Sequence, residues 1–306
     1  MGKLSSQTQR QLKALSQNRH GQIVLAGLAV GLFYFPFWIQ DLIVRSLSGS
    51  TGLVLILSTA LLAIIPLFRS RQKLRQLQAS EADQLIGRAL ILGSAALFPF
   101  VRTALWSQAL IWLFTLFGIA LSTWGIMFFK QYPLTTFLMP LTVYTRPGIL
   151  AQGLWNVVIP PHLLENAMAA ASVQGLQWIG QSATVEGGRF ITLSDSTVEV
   201  AWRCNGFNMA VAMAITGMLL GIFFKRNWQK ILGLMATGIV VGLTFNVPRV
   251  MLMALAAAYW GEKWFNFWHG SWGAQIFVGF LFTAYYYIAM MLIQNAPSSS
   301  SAPTSH

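Results

Sequence analysis

The chain carries one cysteine, Cys204, three residues before an apolar run that starts at Phe207. A thiol attacks as its thiolate, and a free cysteine, with a pKa near ~8.5, is ionised only to a few per cent at neutral pH. Positive charge, a histidine or the start of a helix nearby raises that fraction. Cys204 has Arg203 before it and Gly206 two residues after it. Arg249 follows Val247-Pro248 and lies between two apolar runs. Its planar donor fork suits a substrate carboxylate or a developing oxyanion. His269 stands in Phe267-Trp268-His269-Gly270, four residues before the last apolar run, and an imidazole is the usual proton shuttle. Each residue also has a plainer reading: a small packed cysteine, an arginine reaching to lipid headgroups, a structural histidine among aromatics. Taken together they are the parts of acyl transfer: nucleophile, proton shuttle and charge stabiliser.

Little else in the sequence competes. His20 lies in the basic N-terminal arm, His306 is the last residue, and His162 follows Pro160-Pro161 in a surface turn, which gives it a lesser claim. A single cysteine cannot close an internal disulfide. There is no H-E-x-x-H, no Cys/His cluster, no G-x-S-x-G, no P-loop and no dinucleotide fingerprint. Neither a metal nor an organic cofactor is therefore implied.

The elements that must position these residues are membrane helices. The 306 residues are 55% hydrophobic and 9% charged, with a mean hydropathy of +0.58; soluble domains carry roughly 25% charged residues. Long apolar runs occur at Ile23–Ile39, Thr51–Phe68, Leu85–Val101, Ala104–Phe129, Phe207–Phe224, Ile231–Val247 and Gly273–Ile293, each near the length that crosses a hydrocarbon core. An eighth, Tyr132–Tyr144, is shorter and holds Pro133 and Pro140. Counting it as a span puts twelve of the 20 Lys and Arg on the cytoplasmic side, and most acidic residues outside. The expectation is an all-α polytopic membrane protein of about eight transmembrane helices, both termini cytoplasmic. Cys204, Arg249 and His269 then share the extracytoplasmic interface. The net charge of +12 reads as this sidedness bias, so the bilayer and not nucleic acid is the expected partner.

A single membrane domain, 1–295, is expected, with a basic cytoplasmic arm at 1–20 and a disordered Ser/Pro-rich tail at 296–306. No cleavable signal peptide is expected, since the first apolar run is long enough to remain as an anchor. The extracytoplasmic insertion, 145–203, reads as a helical stretch Ile149–Trp178 broken at Pro160-Pro161. A small β-hairpin with Gly187-Gly188 and Ser194-Asp195-Ser196 turns then delivers the chain to Cys204. Gly27/Gly31, Gly217/Gly221 and Gly238/Gly242 are read as close-packing positions between helices. No internal repeat is evident and the spans lack acidic residues, which weighs against ion-coupled transport.

The stretch Val198-Glu199-Val200-Ala201-Trp202-Arg203-Cys204-Asn205-Gly206, then Asn246-Val247-Pro248-Arg249, then His269 shortly before a final span, resembles the exosortase/archaeosortase family. The resemblance covers roughly residues 133–293. It implies a membrane-embedded cysteine protease/transpeptidase of the cell envelope, with Cys204 as nucleophile, Arg249 as charge stabiliser and His269 as acid/base. It implies protein substrates bearing a C-terminal sorting signal, made of a Pro-Glu-Pro-type motif, one transmembrane helix and a basic tail. The acyl acceptor stays unknown. Many members have Ser where this chain has Asn205; with Trp202-Arg203, that residue is most similar to the cyanobacterial branch. The alternative from another class is a non-enzymatic membrane assembly or transport protein in which Cys204 is structural.

Overall fold

A computed structural model describes residues 18–47, 52–101, 104–144 and 146–294. The basic residues Lys3, Arg10 and Lys13 of the expected arm, and the tail from 296, lie outside the described residues. Thirteen helices and one small sheet are described. They run α1 (Arg19–Leu47), α2 (Gly52–Arg69), α3 (Arg71–Gln76), α4 (Glu81–Leu97), α5 (Leu105–Trp124), α6 (Ile126–Gln131), α7 (Pro133–Val143), α8 (Pro147–Val158) and α9 (Leu163–Trp178). The strands β1 (Ala183–Glu186), β2 (Phe190–Leu193) and β3 (Ser196–Glu199) follow, then α10 (Phe207–Phe223), α11 (Trp228–Leu255), α12 (Glu262–His269) and α13 (Ser271–Gln294).

Among the described residues, six helices are long and apolar enough to cross a membrane: α1, α2, α4 with the turn to Val101, α5, α11 with its extension to Trp260, and α13. Their outward faces are apolar: Leu32 is 75% exposed and Phe33 62%, a pattern that water penalises and hydrocarbon accepts. The architecture is that of an all-α polytopic membrane protein. Two of the eight expected spans are shorter apolar helices, α7 with 11 residues and α10 with 17. The physical breaks are local. Gly125 at φ 71° ends α5, so the apolar run to Phe129 is not one helix. Pro133 then starts α7, and extended Tyr144 closes it.

The described residues form two compact units. The first takes those up to Val44 and from Ile56 to Pro147. In it, the absence of a side chain at Gly27 and Gly31 lets α1 lie on α4 and α5. A Cβ would come within 2.7 Å of Ile91 and 2.6 Å of Trp112. Tyr34 donates to the Val143 carbonyl at 2.6 Å, and Arg146 pairs with the Asp41 carboxylate.

The second unit holds the end of α1, the start of α2 and the described residues from Gly148 on. Helices α10 and α11 make a hairpin whose contact is backbone on backbone. A Cβ on Gly238 would stand 2.5 Å from the Met213 carbonyl oxygen, and one on Gly242 3.0 Å from the Ala210 Cα. Asn227 caps α11 through a 3.1 Å bond from the Lys230 amide. The expected hairpin is a three-stranded antiparallel meander, β1-β2-β3. It packs with α9 and α11 around Leu176, Ile191, Val200, Val250 and Met253. That core also encloses Cys204.

Candidate active site

The sheet ends at Glu199, and the chain turns through a single 3-10 turn, Trp202–Cys204, before α10 begins. The turn is closed by the Cys204 amide donating to the Ala201 carbonyl at 2.8 Å. Gly206 links turn to helix at φ 85°, a left-handed conformation that glycine adopts freely. Asn205 spans the same corner: its Oδ1 accepts from the Phe207 amide at 2.9 Å, satisfying one of the first free donors of α10. From the other side Asn246, on α11, donates Nδ2 to the Cys204 carbonyl at 2.7 Å. Both asparagines are fully buried. Trp202 and Trp155 pack on Phe207, with centroids 5.0 and 5.5 Å away.

Cys204 is 6% exposed. It lines a cavity of about 400 Å³ together with Ser196, Glu199, Met253, Phe265 and His269. His269 is the last residue of α12, exposed, and its ring stacks on Phe265 at 5.5 Å and 8°. Thus Cys204 and His269 line one space. Arg249 does not line it. The α11 helix continues through Pro248 to Leu255, so Arg249 sits within a helix and not at a span's end. It is 8% exposed, and its Nε makes no hydrogen bond among the described residues. Arg249 is one turn before the lining residue Met253 and three residues after Asn246, on the same face. His162 is elsewhere: it caps α9 and lies 3.1 Å from Arg189 Nη1.

Burial pushes the Cys204 thiol above its ordinary pKa, while Arg249 and Arg203 pull the other way. By sequence, the neighbouring positive charge raises the thiolate fraction. In the fold desolvation outweighs that charge. The rest of the wall is held firmly. Arg189 forms a 3.0 Å ion pair with Glu199. Past Leu255 the α11 helix widens into a π turn, Ala256–Trp260, and the Ala257 carbonyl there accepts from Ser196 Oγ at 3.1 Å.

Sequence reasoning missed the roles of Asn205 and Asn246 and the Ser196–Glu199 wall. Asn205-Gly206 before an apolar run is a turn-and-cap signal. Asn246 three residues before Arg249 marks one helix face. The wall, which is tertiary, left no such mark.

Fold and site together define a multi-pass membrane protein with a buried cysteine and a histidine opening on one cavity. The chain belongs to the transmembrane exosortase family (Exosortase_EpsH), whose model matches residues 43–286 and so takes in every residue of the cavity. No curated protein and no solved structure matches the chain.

Proposed function

We propose that the protein is a cysteine transpeptidase of the cell envelope that processes C-terminal sorting signals. The observation that carries this is that Cys204 and His269 line one cavity, in a chain of the exosortase family. The substrate presents its pre-membrane peptide, of Pro-Glu-Pro type, to Cys204 while its own transmembrane helix and basic tail stay in and below the bilayer. His269 takes the thiol proton as sulfur attacks the scissile carbonyl carbon. Arg249 or backbone donors stabilise the oxyanion. The C–N bond breaks, and the imidazolium returns its proton to the leaving amine. An acceptor nucleophile, or water, then attacks the acyl-thioester and frees Cys204. The site faces the extracytoplasmic side of the inner membrane, with both termini cytoplasmic. Asn205 with Trp202-Arg203 is the basis for assigning the chain to the cyanobacterial branch.

The test compares the unaltered protein with Cys204→Ala, each in membranes with a candidate substrate, by mass spectrometry of the substrate's new C-terminus. Loss of the product with normal insertion of the variant supports the proposal. The burial of Cys204 in an apolar cluster favours a second reading, a non-enzymatic membrane protein with a packing cysteine. That reading expects Cys204→Ala to be tolerated.

A further inference from the structure

The two buried asparagines around Cys204 are oriented by their own hydrogen bonds. Asn205 must present Oδ1 to the Phe207 amide, and Asn246 must present Nδ2 to the Cys204 carbonyl. Neither side-chain amide can be turned over without placing like against like. Each then keeps one polar atom, Asn205 Nδ2 and Asn246 Oδ1, that makes no hydrogen bond among the described residues. Burying two such groups unpaired is destabilising, a cost that a purely packing role would avoid with apolar residues. Gly206 belongs to the same device: a Cβ there would meet Asn246 Cβ, Cγ and Nδ2 at 3.0–3.1 Å.

We propose that Asn246 is a positioning residue: its 2.7 Å bond to the Cys204 carbonyl ties the nucleophile's turn to the face of α11 that also carries Arg249. One helix thereby fixes where the sulfur sits and which cation acts on it. The inference rests on the reading of Cys204 as the nucleophile, but its test does not require catalysis, because Cys204 is the chain's only thiol.

The experiment measures alkylation of Cys204 by iodoacetamide against pH in the membrane-inserted protein. The charged and titratable groups around the sulfur are Arg203 on its own turn, Arg249 on α11, His269 on α12, and Glu199 with its partner Arg189 on the sheet. Arg249→Gln removes one cation, so the thiolate loses support and the alkylation midpoint moves up, by about one pH unit. The same substitution is then made in an Asn246→Ala background. If Asn246 holds the sulfur against Arg249, the shift there falls to less than about a third of that, a coupling that independent sites do not show. An equal shift in both backgrounds overturns the proposal. Asn246→Leu, of similar volume and without the donor, repeats the cycle if the alanine variant fails to insert. A shift in the leucine background equal to that beside Asn246 likewise overturns it. A role for Asn246 in folding alone would change the yield of inserted protein and leave the Arg249 shift intact. Should Cys204→Ala still process substrate, the transpeptidase reading fails while this coupling can still hold, so the two failures are distinguishable.

Discussion

At the scale of single residues, Cys204 is defined by conflict between burial and charge. Its thiol is an acid, so desolvation disfavours the thiolate and raises the pKa; Arg249 and Arg203 favour the thiolate and lower it; burial prevails. Alkylation of Cys204 should therefore climb with pH to a midpoint above the ~8.5 of an exposed cysteine, and Arg203→Gln should move that midpoint higher still. A midpoint below the exposed value would contradict the account. The corner after the cysteine is as tightly set. Gly206→Ala puts a Cβ on a φ of 85° and against Asn246. The expected cost is roughly 1–2 kcal/mol from the backbone alone, read as a lower unfolding temperature in detergent, with slower processing. The candidate residues were legible as types: Cys204 before an apolar run, Arg249 between two, His269 among aromatics. What was not legible was their mutual setting. Arg249 looked like the outer end of a span, because proline usually ends a helix, yet α11 continues through Pro248. Cys204 looked activated by Arg203, because a sequence shows a neighbouring charge and not the burial that outweighs it.

At the scale of elements, the site depends on how α11 meets its neighbours. It bonds the Cys204 turn through Asn246, carries Arg249 and Met253 on the same face, and ends in the π turn that receives Ser196. The glycines of the α10–α11 contact keep the two helices close. Gly238→Val should cost about 1–3 kcal/mol by overpacking, since its first carbon already collides with the Met213 backbone. Gly233→Ala, on the same helix with nothing within 4 Å, should change stability by less than about 1 kcal/mol. Thermal unfolding of the two variants side by side checks this, and equal effects would refute the packing role. The Gly-xxx-Gly spacings were readable as close contacts because small residues four apart share a helix face. The third strand was not foreseen as a separate pairing, although the turn before it was. A three-residue turn, Gly187-Gly188-Arg189, and a two-residue turn, Ser194-Asp195, make a meander where one hairpin was expected.

At the scale of the whole molecule, hydropathy made the membrane architecture readable and left the span count less sharp. Among the described residues six helices have the length to cross; α7 is short because Gly125 and Pro133 cut an apolar stretch that composition alone joins, and α10 is one residue shorter than its apolar run. Sidedness is a prediction of the Lys/Arg distribution. A thiol reagent that cannot cross the membrane should label Cys204 in intact cells stripped of outer barriers, and labelling only after the inner membrane is opened would reverse the proposed topology. The central claim is that Cys204 carries the acyl group. Its most direct measurement adds hydroxylamine as a small acceptor to membranes holding enzyme and candidate substrate, and weighs the substrate's new C-terminus. The account predicts a hydroxamate made by the unaltered protein and absent with Cys204→Ala. The same cleavage product from Cys204→Ala membranes, ending in a plain carboxylate, would contradict it.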